Sequence, residues 1–506
     1  MPIADTVRAA LPVLGLLPRT IIGRLHRRRR HRHLRGRKPG GKMPRDQWWS
    51  DDDRWHERGT PPRRHNELTP LIDGEEAFDA IVKAIKEARE YVYIVGWALT
   101  PTFTLVRAND PEFTEDDLLT RVLADVSERV TVKMLIWRGS SFFFQPTAKI
   151  TEQACEELRK VAPRLDVRLD GKARPTHCHH QKAVVIDGQI GFVGGLDLTT
   201  LEGDRWDRPG HPLRHGRNWH DVALKIRGEA VADLEANFRQ RWLAVTGERE
   251  LPGRQPTVED GWQTPCQIVR TIPTRTYKFA RRGEFGIAAA YRDAIHRAKR
   301  FIYLENQYLW SEEIVTALID AMERNRDHPF RIVVVLPAHA DFGKYDNDKQ
   351  VERLREADAG RGQFHAYSIY SSGPAAGRFG FGFVPIYVHA KVAIIDDEWF
   401  MIGSGNLNRR GLATDTEMNA HSVDRAGAKA LRLRLWGEHL RAKEEDLADR
   451  DPVAIIDEEF IPLSQQVAER VKAKSGILPA LVHPYQVGRM PGLWVLQQLE
   501  SLAEGL

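Results

Sequence analysis

His180 and Lys182 stand two residues apart at the head of an apolar run that ends in Asp187, and His389, Lys391 and Asp396 repeat the arrangement 209 residues later. Side chains on a strand alternate faces, so in each copy the imidazole and the ammonium point one way and the carboxylate the other. An imidazole beside an ammonium suits a phosphate diester: the ring attacks or moves a proton while the ammonium neutralises oxygen charge. In-line displacement needs a nucleophile on one side of phosphorus and a proton donor on the other. Two facing octets supply both. The residues alone do not assign these roles between His180 and His389. Asp187-Gly188 and Asp396-Asp397-Glu398 read as turns closing hairpins, which gives the two octet carboxylates a structural part.

Further groups are expected to serve this chemistry. Asp221 and Glu417 occupy matching places at the start of the strand that follows each octet hairpin, and are expected to hold the two imidazoles by their second ring nitrogens. A lysine at the head of an apolar strand is costly to bury without an anion, so Lys182 and Lys391 are expected on the substrate phosphate. Asn406, 17 residues after His389, and Ser404 join that phosphate set. The position 17 after His180 is Asp197, which when ionised cannot donate to phosphate. A bond to Arg205 or a contact to a cationic group of the substrate are its two open roles. His177, Cys178 and His179 invite a metal reading, but no carboxylate and thiol partners cluster near them. No metal and no cofactor is expected.

The elements that must carry these groups come in duplicate. Residues 84–97 read as a helix end feeding a buried strand, and residues 294–307 match them at an offset of 210. Apolar strands follow at 130–137 and 330–337. After each octet come a strand and an amphipathic helix, at 221–242 and 417–440. This predicts an internal duplication of an α/β unit. The expected division is a basic leader at 1–46, a first repeat at 47–245, a linker rich in Gly, Pro and charge at 246–265, a second repeat at 266–447, and a tail at 448–506 packed on the body.

The paired octets, together with Gly194-Gly195-Leu196-Asp197-Leu198, Arg205-Trp206-Asp207, Trp219-His220-Asp221, Glu305-Asn306-Gln307-Tyr308, Ile386-Tyr387-Val388-His389 and Gly403-Ser404-Gly405-Asn406, resemble the phospholipase D superfamily. They are most similar to its eukaryotic-like branch. The resemblance implies two tandem α/β repeats packed about a pseudo-two-fold axis with one shared active site. It implies His180 as the nucleophile that forms a phosphohistidine, and His389 as the acid that protonates the leaving alcohol and then the base that activates water. Lys182, Lys391, Asp187 and Asp396 complete the signature. That division asks for a neutral His180 and a protonated His389, and hence a bell-shaped pH profile. The implied reaction is hydrolysis of glycerophospholipids to phosphatidic acid and an alcohol such as choline, with transfer to added alcohols. Rival readings are a phosphatidyltransferase of the cardiolipin synthase type, a nuclease or other phosphodiesterase, and a non-catalytic membrane or phosphate-binding protein.

Composition sets the outer bounds. The net charge is +5, but residues 1–46 carry 13 Lys or Arg against two Asp, so the rest of the chain stands at about −6. The leader, apolar residues followed by an Arg/His run, lacks the order of a signal peptide. It reads either as a peripheral anchor for an anionic membrane surface or as a disordered basic arm. Nucleic acid is not the expected partner, and both half-sites in one chain fit a monomer. Three cysteines give no disulfide framework, and no apolar run approaches the ~20 residues of a membrane span. A cytoplasmic enzyme peripheral at a membrane is expected, with secretion as the alternative. The loops at 203–219 and 371–383, the second carrying Phe379, Phe381 and Phe383, are candidates for insertion at a lipid interface.

Overall fold

Tyr91-Val-Tyr-Ile-Val-Gly96 is apolar on both faces, as a strand covered on both sides must be, and all six residues are buried. The computed structural model describes residues 55–56, 59–105, 118–140, 145–214, 216–341, 343–374 and 381–488. The leader at 1–46, the aromatic tip at 375–380 and residues 489–506 lie outside the described residues.

The first half holds β1 (Arg63–Ile72), α1 (Asp73–Lys86), β2 (Tyr91–Gly96), α2 (Leu119–Ser127), β3 (Thr131–Trp137), α3 (Ala148–Val161), β4 (Asp166–Asp170), β5 (Ala183–Ile186), β6 (Ile190–Gly194), β7 (Trp219–His220), β8 (Val222–Gly228) and α4 (Val231–Thr246). The second holds β9 (Thr264–Ile272), β10 (Glu284–Phe285), α5 (Gly286–Arg297), β11 (Phe301–Asn306), α6 (Glu312–Arg324), β12 (Arg331–Val335), α7 (Lys344–Asp358), β13 (Phe364–Pro374), β14 (Phe381–Pro385), β15 (Tyr387–Val388), β16 (Lys391–Ile395), β17 (Trp399–Gly403), β18 (Glu417–Ser422) and α8 (Arg425–Leu440).

Strand pairing repeats element for element. The first half runs β4-β3-β2-β5-β6-β8-β1, with β2, β3 and β4 parallel and the rest antiparallel. The second runs β13-β12-β11-β16-β17-β18-β9 with the same senses. The two series meet where β1 pairs with β9, Arg63 opposite Cys266 and Asn66 opposite Thr264. The chain is thus a tandem α/β duplication, as its sequence periodicity requires.

Helices cover the outer face of each sheet because their apolar residues fall on one stripe. In α1 the buried Ala77, Phe78, Ile81, Val82 and Ile85 follow helical spacing, with acidic residues in the first turn and lysines in the last. On the inner faces α4 and α8 share one apolar core, in which Tyr93, Phe238 and Trp242 of the first half join Tyr303, Leu435 and Trp436 of the second. Beyond α8 the chain returns to this core through Ile455, Phe460 and Val467. It ends its described course in β19 (Val482–Pro484), antiparallel to β13. Among the described residues no helix is long and apolar enough to cross a membrane.

Two short parallel contacts splice the halves. Tyr387 and Val388 of β15 pair with Trp219 and His220 of β7, and His179 bridges to Thr416. The backbone bonds His389 N–H to His220 carbonyl (2.8 Å) and His180 N–H to Thr416 carbonyl (2.9 Å) carry each octet's entrance onto the opposite half.

Candidate active site

The splices decide which carboxylate meets which imidazole. His180 Nδ1 lies 2.9 and 3.1 Å from the two Glu417 oxygens, and His389 Nδ1 lies 2.6 Å from Asp221 Oδ2. Each octet histidine is therefore held by the other half. A carboxylate only accepts, so when ionised it places the proton on Nδ1 and leaves the Nε2 lone pair for substrate. Asp221 and Glu417 thus each bond an octet imidazole at Nδ1, crosswise between the halves, a pairing that the sequence reading left unassigned. The side chain of His180 is 15% exposed against 3% for His389, which makes His180 the more open of the two.

The lysines sit beside the rings. Lys182 Nζ donates to the His180 carbonyl at 2.9 Å and lies 3.4 Å from Asp197 Oδ2, with the Trp97 ring face 5.7 Å away. Lys391 donates to the His389 carbonyl and, at 3.3 Å, to Gln307 Oε1. Asn406 Nδ2 reaches the same Gln307 oxygen at 3.4 Å. Trp97 and Gln307 occupy equivalent positions in the 210-residue register, so one half flanks its lysine with an aromatic face and the other with an amide. The 210-residue alignment pairs these two positions in the sequence, but their contact with the lysines arises only in the fold.

Burial, reinforced by Lys182 and Lys391, holds His180 well below the ordinary imidazole range. Burial holds His389 down likewise, with Lys391, Arg205 and Lys182 adding repulsion. Burial pushes Glu417 well above the usual carboxylate range against the pull of Lys182, and raises Asp221 against Lys391. It lowers Lys391 to about 7, partly opposed by Asp221. Before substrate binds both rings are favoured neutral, whereas the sequence reading asked for a protonated His389 at the outset. The difference is physical: burial disfavours a charged ring, the two lysines add repulsion, and an anion between them offsets both.

Among the remaining groups, the octet carboxylates make the structural contacts expected of their turns, and others are redirected. Asp187 accepts the backbone N–H groups of Arg89, Glu90 and Tyr91, each at 2.8 Å, and Asp396 those of Lys299, Arg300 and Phe301 at 2.7 to 2.9 Å. Both lie at the end of the octet strand remote from the imidazole and cap the start of β2 or β11. Ser404 donates its hydroxyl to Glu417 Oε2 at 2.6 Å, so it fixes the carboxylate and is not free to meet phosphate. Asp197 does not bond Arg205. It accepts from the N–H groups of Trp97 (3.1 Å) and Ala98 (3.3 Å) and pairs with Lys182, while Arg205 donates to the carbonyls of Thr199, Leu201 and Gly203. In the loop at 203–219, Trp206, His211 and Trp219 are buried, and Trp219 packs 4.8 Å from His389. These rings of the loop pack inward beside the site. Phe383 packs against the central core from β14, which removes it from the insertion set.

His177, Cys178 and His179 do not converge: His177 Nδ1 meets Thr176 Oγ1, and His179 is taken by Thr416 and Asp170. Residues that could hold a cation lie elsewhere. Asp73, His211, His220 and Glu438 bring ligand-type atoms within 4.8 Å of one another, and Asp73 Oδ2, His211 Nε2 and Glu438 Oε2 are buried without a hydrogen-bond partner. His220 also bonds Glu305 at 2.9 Å. Burial opposes charge on His220, but Asp73 and Glu305 on either side raise it well above the ordinary range. The sequence did not show this group, because its members are dispersed from residue 73 to 438.

Comparisons with known proteins find the following likenesses. A family model described as "Phospholipase D" matches residues 84–218 and 216–317, and one described as "Cardiolipin synthase, PLD-like domain" matches 291–435. Phospholipase D alpha 4 of Arabidopsis thaliana is 26% identical over 512 residues, covering 76% of this chain and 66% of that protein. Phospholipase D A of Dictyostelium discoideum is 25% identical over 468 residues, covering 75% of this chain and 36% of that protein. The chain thus spans two thirds or less of the length of these curated relatives. Among solved structures, the phosphatidylserine synthase of Haemophilus influenzae matches with a TM-score of 0.50 and 13% identity, over 86% of this chain and 92% of that one, which shows a common fold.

Proposed function

Because the chain belongs to the phospholipase D superfamily, on its eukaryotic-like branch, we propose that it hydrolyses glycerophospholipids at a membrane surface to phosphatidic acid and a free alcohol. The observation that carries this reading is the crosswise pairing of His180 with Glu417 and His389 with Asp221, which fixes two imidazoles with free Nε2 atoms beside two buried lysines.

The diester phosphate binds against Lys182 and Lys391, with Asn406 donating from the second half. Its negative charge offsets the repulsion that keeps the rings neutral, and His389 takes up a proton. His180 Nε2 attacks phosphorus; the P–O bond to the headgroup alcohol breaks, and His389 Nε2–H protonates the departing oxygen. His389, neutral again, then takes a proton from water, whose oxygen attacks phosphorus and breaks the P–N bond to His180. An alcohol replacing that water gives a transfer product. The imidazoles and lysines perform every step.

Phosphatidylcholine vesicles with and without a primary alcohol provide the test. Choline release with formation of the phosphatidyl alcohol, both lost in His180→Ala and His389→Ala, is the expected result. The match of the second half to the cardiolipin synthase description supports a lipid acceptor as the second reading. Transfer to phosphatidylglycerol in preference to water would favour it.

A further inference from the structure

Much of the exposed arginine on this protein is paired with acid: Arg164 with Glu128, Arg292 with Glu313, Arg326 with Glu323, Arg425 with Glu398. The turn joining β9 to β10 breaks that habit. Arg275, Lys278, Arg281 and Arg282 are all exposed there, and among the described residues none has an acidic partner. The nearby Glu284 is already taken by Arg270 at 2.9 Å. Between the cations stands Phe279, 39% exposed.

The turn is built to present these groups. Backbone bonds from Arg275 to Arg281 (3.1 Å), Ala280 to Tyr277 (3.3 Å) and Gly283 to Ala280 (2.9 Å) close it on itself. Its root is Tyr277, buried, stacked under Phe279 at 4.9 Å and donating to Asp170. The Tyr277 hydroxyl also lies 3.4 Å from His179 Nε2, one residue from His180. From the other side the Arg174 guanidinium donates to the Thr274 carbonyl at 3.0 Å. Lys172 and Arg174, both exposed, lie on the segment that runs directly into His180.

We propose that this turn docks the enzyme on a bilayer containing anionic phospholipid, the cations meeting headgroup phosphates and the Phe279 ring entering the interface. The proposal rests on the lipid reading of the site. Charge complementarity favours a bilayer: outside the leader the chain carries about −6, so an unpaired basic cluster beside the site orients an otherwise repelled body on an anionic sheet. An exposed aromatic ring gains by leaving water at such a surface. A single ring offers a nucleic acid one place to stack, whereas strand-tracking surfaces use several.

The full chain is tested by sedimentation with phosphatidylcholine vesicles with and without phosphatidylglycerol, in parallel with turnover of a monomeric short-chain phosphatidylcholine. Binding to anionic vesicles should weaken by about a hundredfold or more in Lys278→Glu/Arg281→Glu/Arg282→Glu, since each surface cation contributes about fivefold. It should weaken severalfold in Phe279→Ala, and monomer turnover should hold in both. Arg281→Gln/Arg282→Gln, which removes two charges without adding any, should weaken binding by about 25-fold, and guards against a misfolded triple variant. Unchanged vesicle binding overturns the proposal. So does a parallel loss of monomer turnover, which would make the turn part of the site wall, and so does tighter binding of a single-stranded oligonucleotide through the same residues. If the wild type turns over no diester, the lipase reading falls while sedimentation still decides the docking.

Discussion

At the scale of single residues, Glu417 and Lys391 make the sharpest claims. In Glu417→Gln the amide can donate to His180 Nδ1, which moves the ring proton to Nε2 and removes the attacking lone pair. A fall in kcat of about 10³ to 10⁴ with little change in KM is expected, by analogy with the loss of tautomer control in serine hydrolases. Steady-state kinetics on a monomeric diester would show it, and a loss confined to KM would assign Glu417 to binding instead. Burial lowers Lys391 to about 7, so in the free enzyme its ammonium is lost as pH rises through that value. Substrate capture should follow it: kcat/KM declines above about pH 7, while kcat holds to higher pH because bound phosphate keeps the ammonium charged. His180 is held well below the ordinary range, so the acid limb lies below the usual imidazole region. A kcat/KM that stays level into the ordinary lysine range would sink this account.

At the scale of elements, Asp187 and Asp396 show what an octet can and cannot reveal. Period-two alternation puts the carboxylate on the face opposite His and Lys, and the structure gives each three backbone N–H groups at the start of a neighbouring strand. Both have positive φ, 51° and 57°. Asp187→Ala should therefore cost about 1–3 kcal/mol for the abandoned donors, plus about 1 kcal/mol of backbone strain. Asp187→Asn, which tolerates this backbone and keeps an acceptor, should cost less. Denaturant unfolding measures the loss, and turnover per folded molecule should remain at the wild-type level. Collapse of turnover in fully folded protein would return Asp187 to the chemistry. Strand and helix positions were legible because hydrophobic period is local: β2 and β11 close the segments at 84–97 and 294–307, and β3 and β12 fall within two residues of the runs at 130–137 and 330–337. The identity of polar partners was not. Ser404 in a Gly-Ser-Gly-Asn run reads as a phosphate ligand until Glu417, 13 residues on, is folded against it. Asp197 pairs with Lys182 only because β5 and β6 form a hairpin.

At the scale of the whole molecule, neither half contains a complete site. The first has His180 without Glu417, and the second has His389 without Asp221. The seam between them is built from the β7–β15 and His179–Thr416 contacts, the β1–β9 pairing and a core shared by Trp242 and Trp436. Each large apolar side chain that separation would expose costs about 1.5–3 kcal/mol, so the halves are expected to hold together without their connector. That connector is exposed at Val258 to Gly261 and can be opened by an inserted protease site. The nicked protein should migrate as one complex through size-exclusion chromatography and retain most of its diester turnover. The two fragments expressed apart should be inactive, and mixing them should restore turnover only as far as they reassemble. Turnover by either fragment alone would mean that an octet builds a working site from its own half, and the crosswise carboxylates would lose their place in the mechanism. Dissociation on nicking, with activity lost, would leave the chemistry intact but show that the shared core contributes less than its buried aromatics imply.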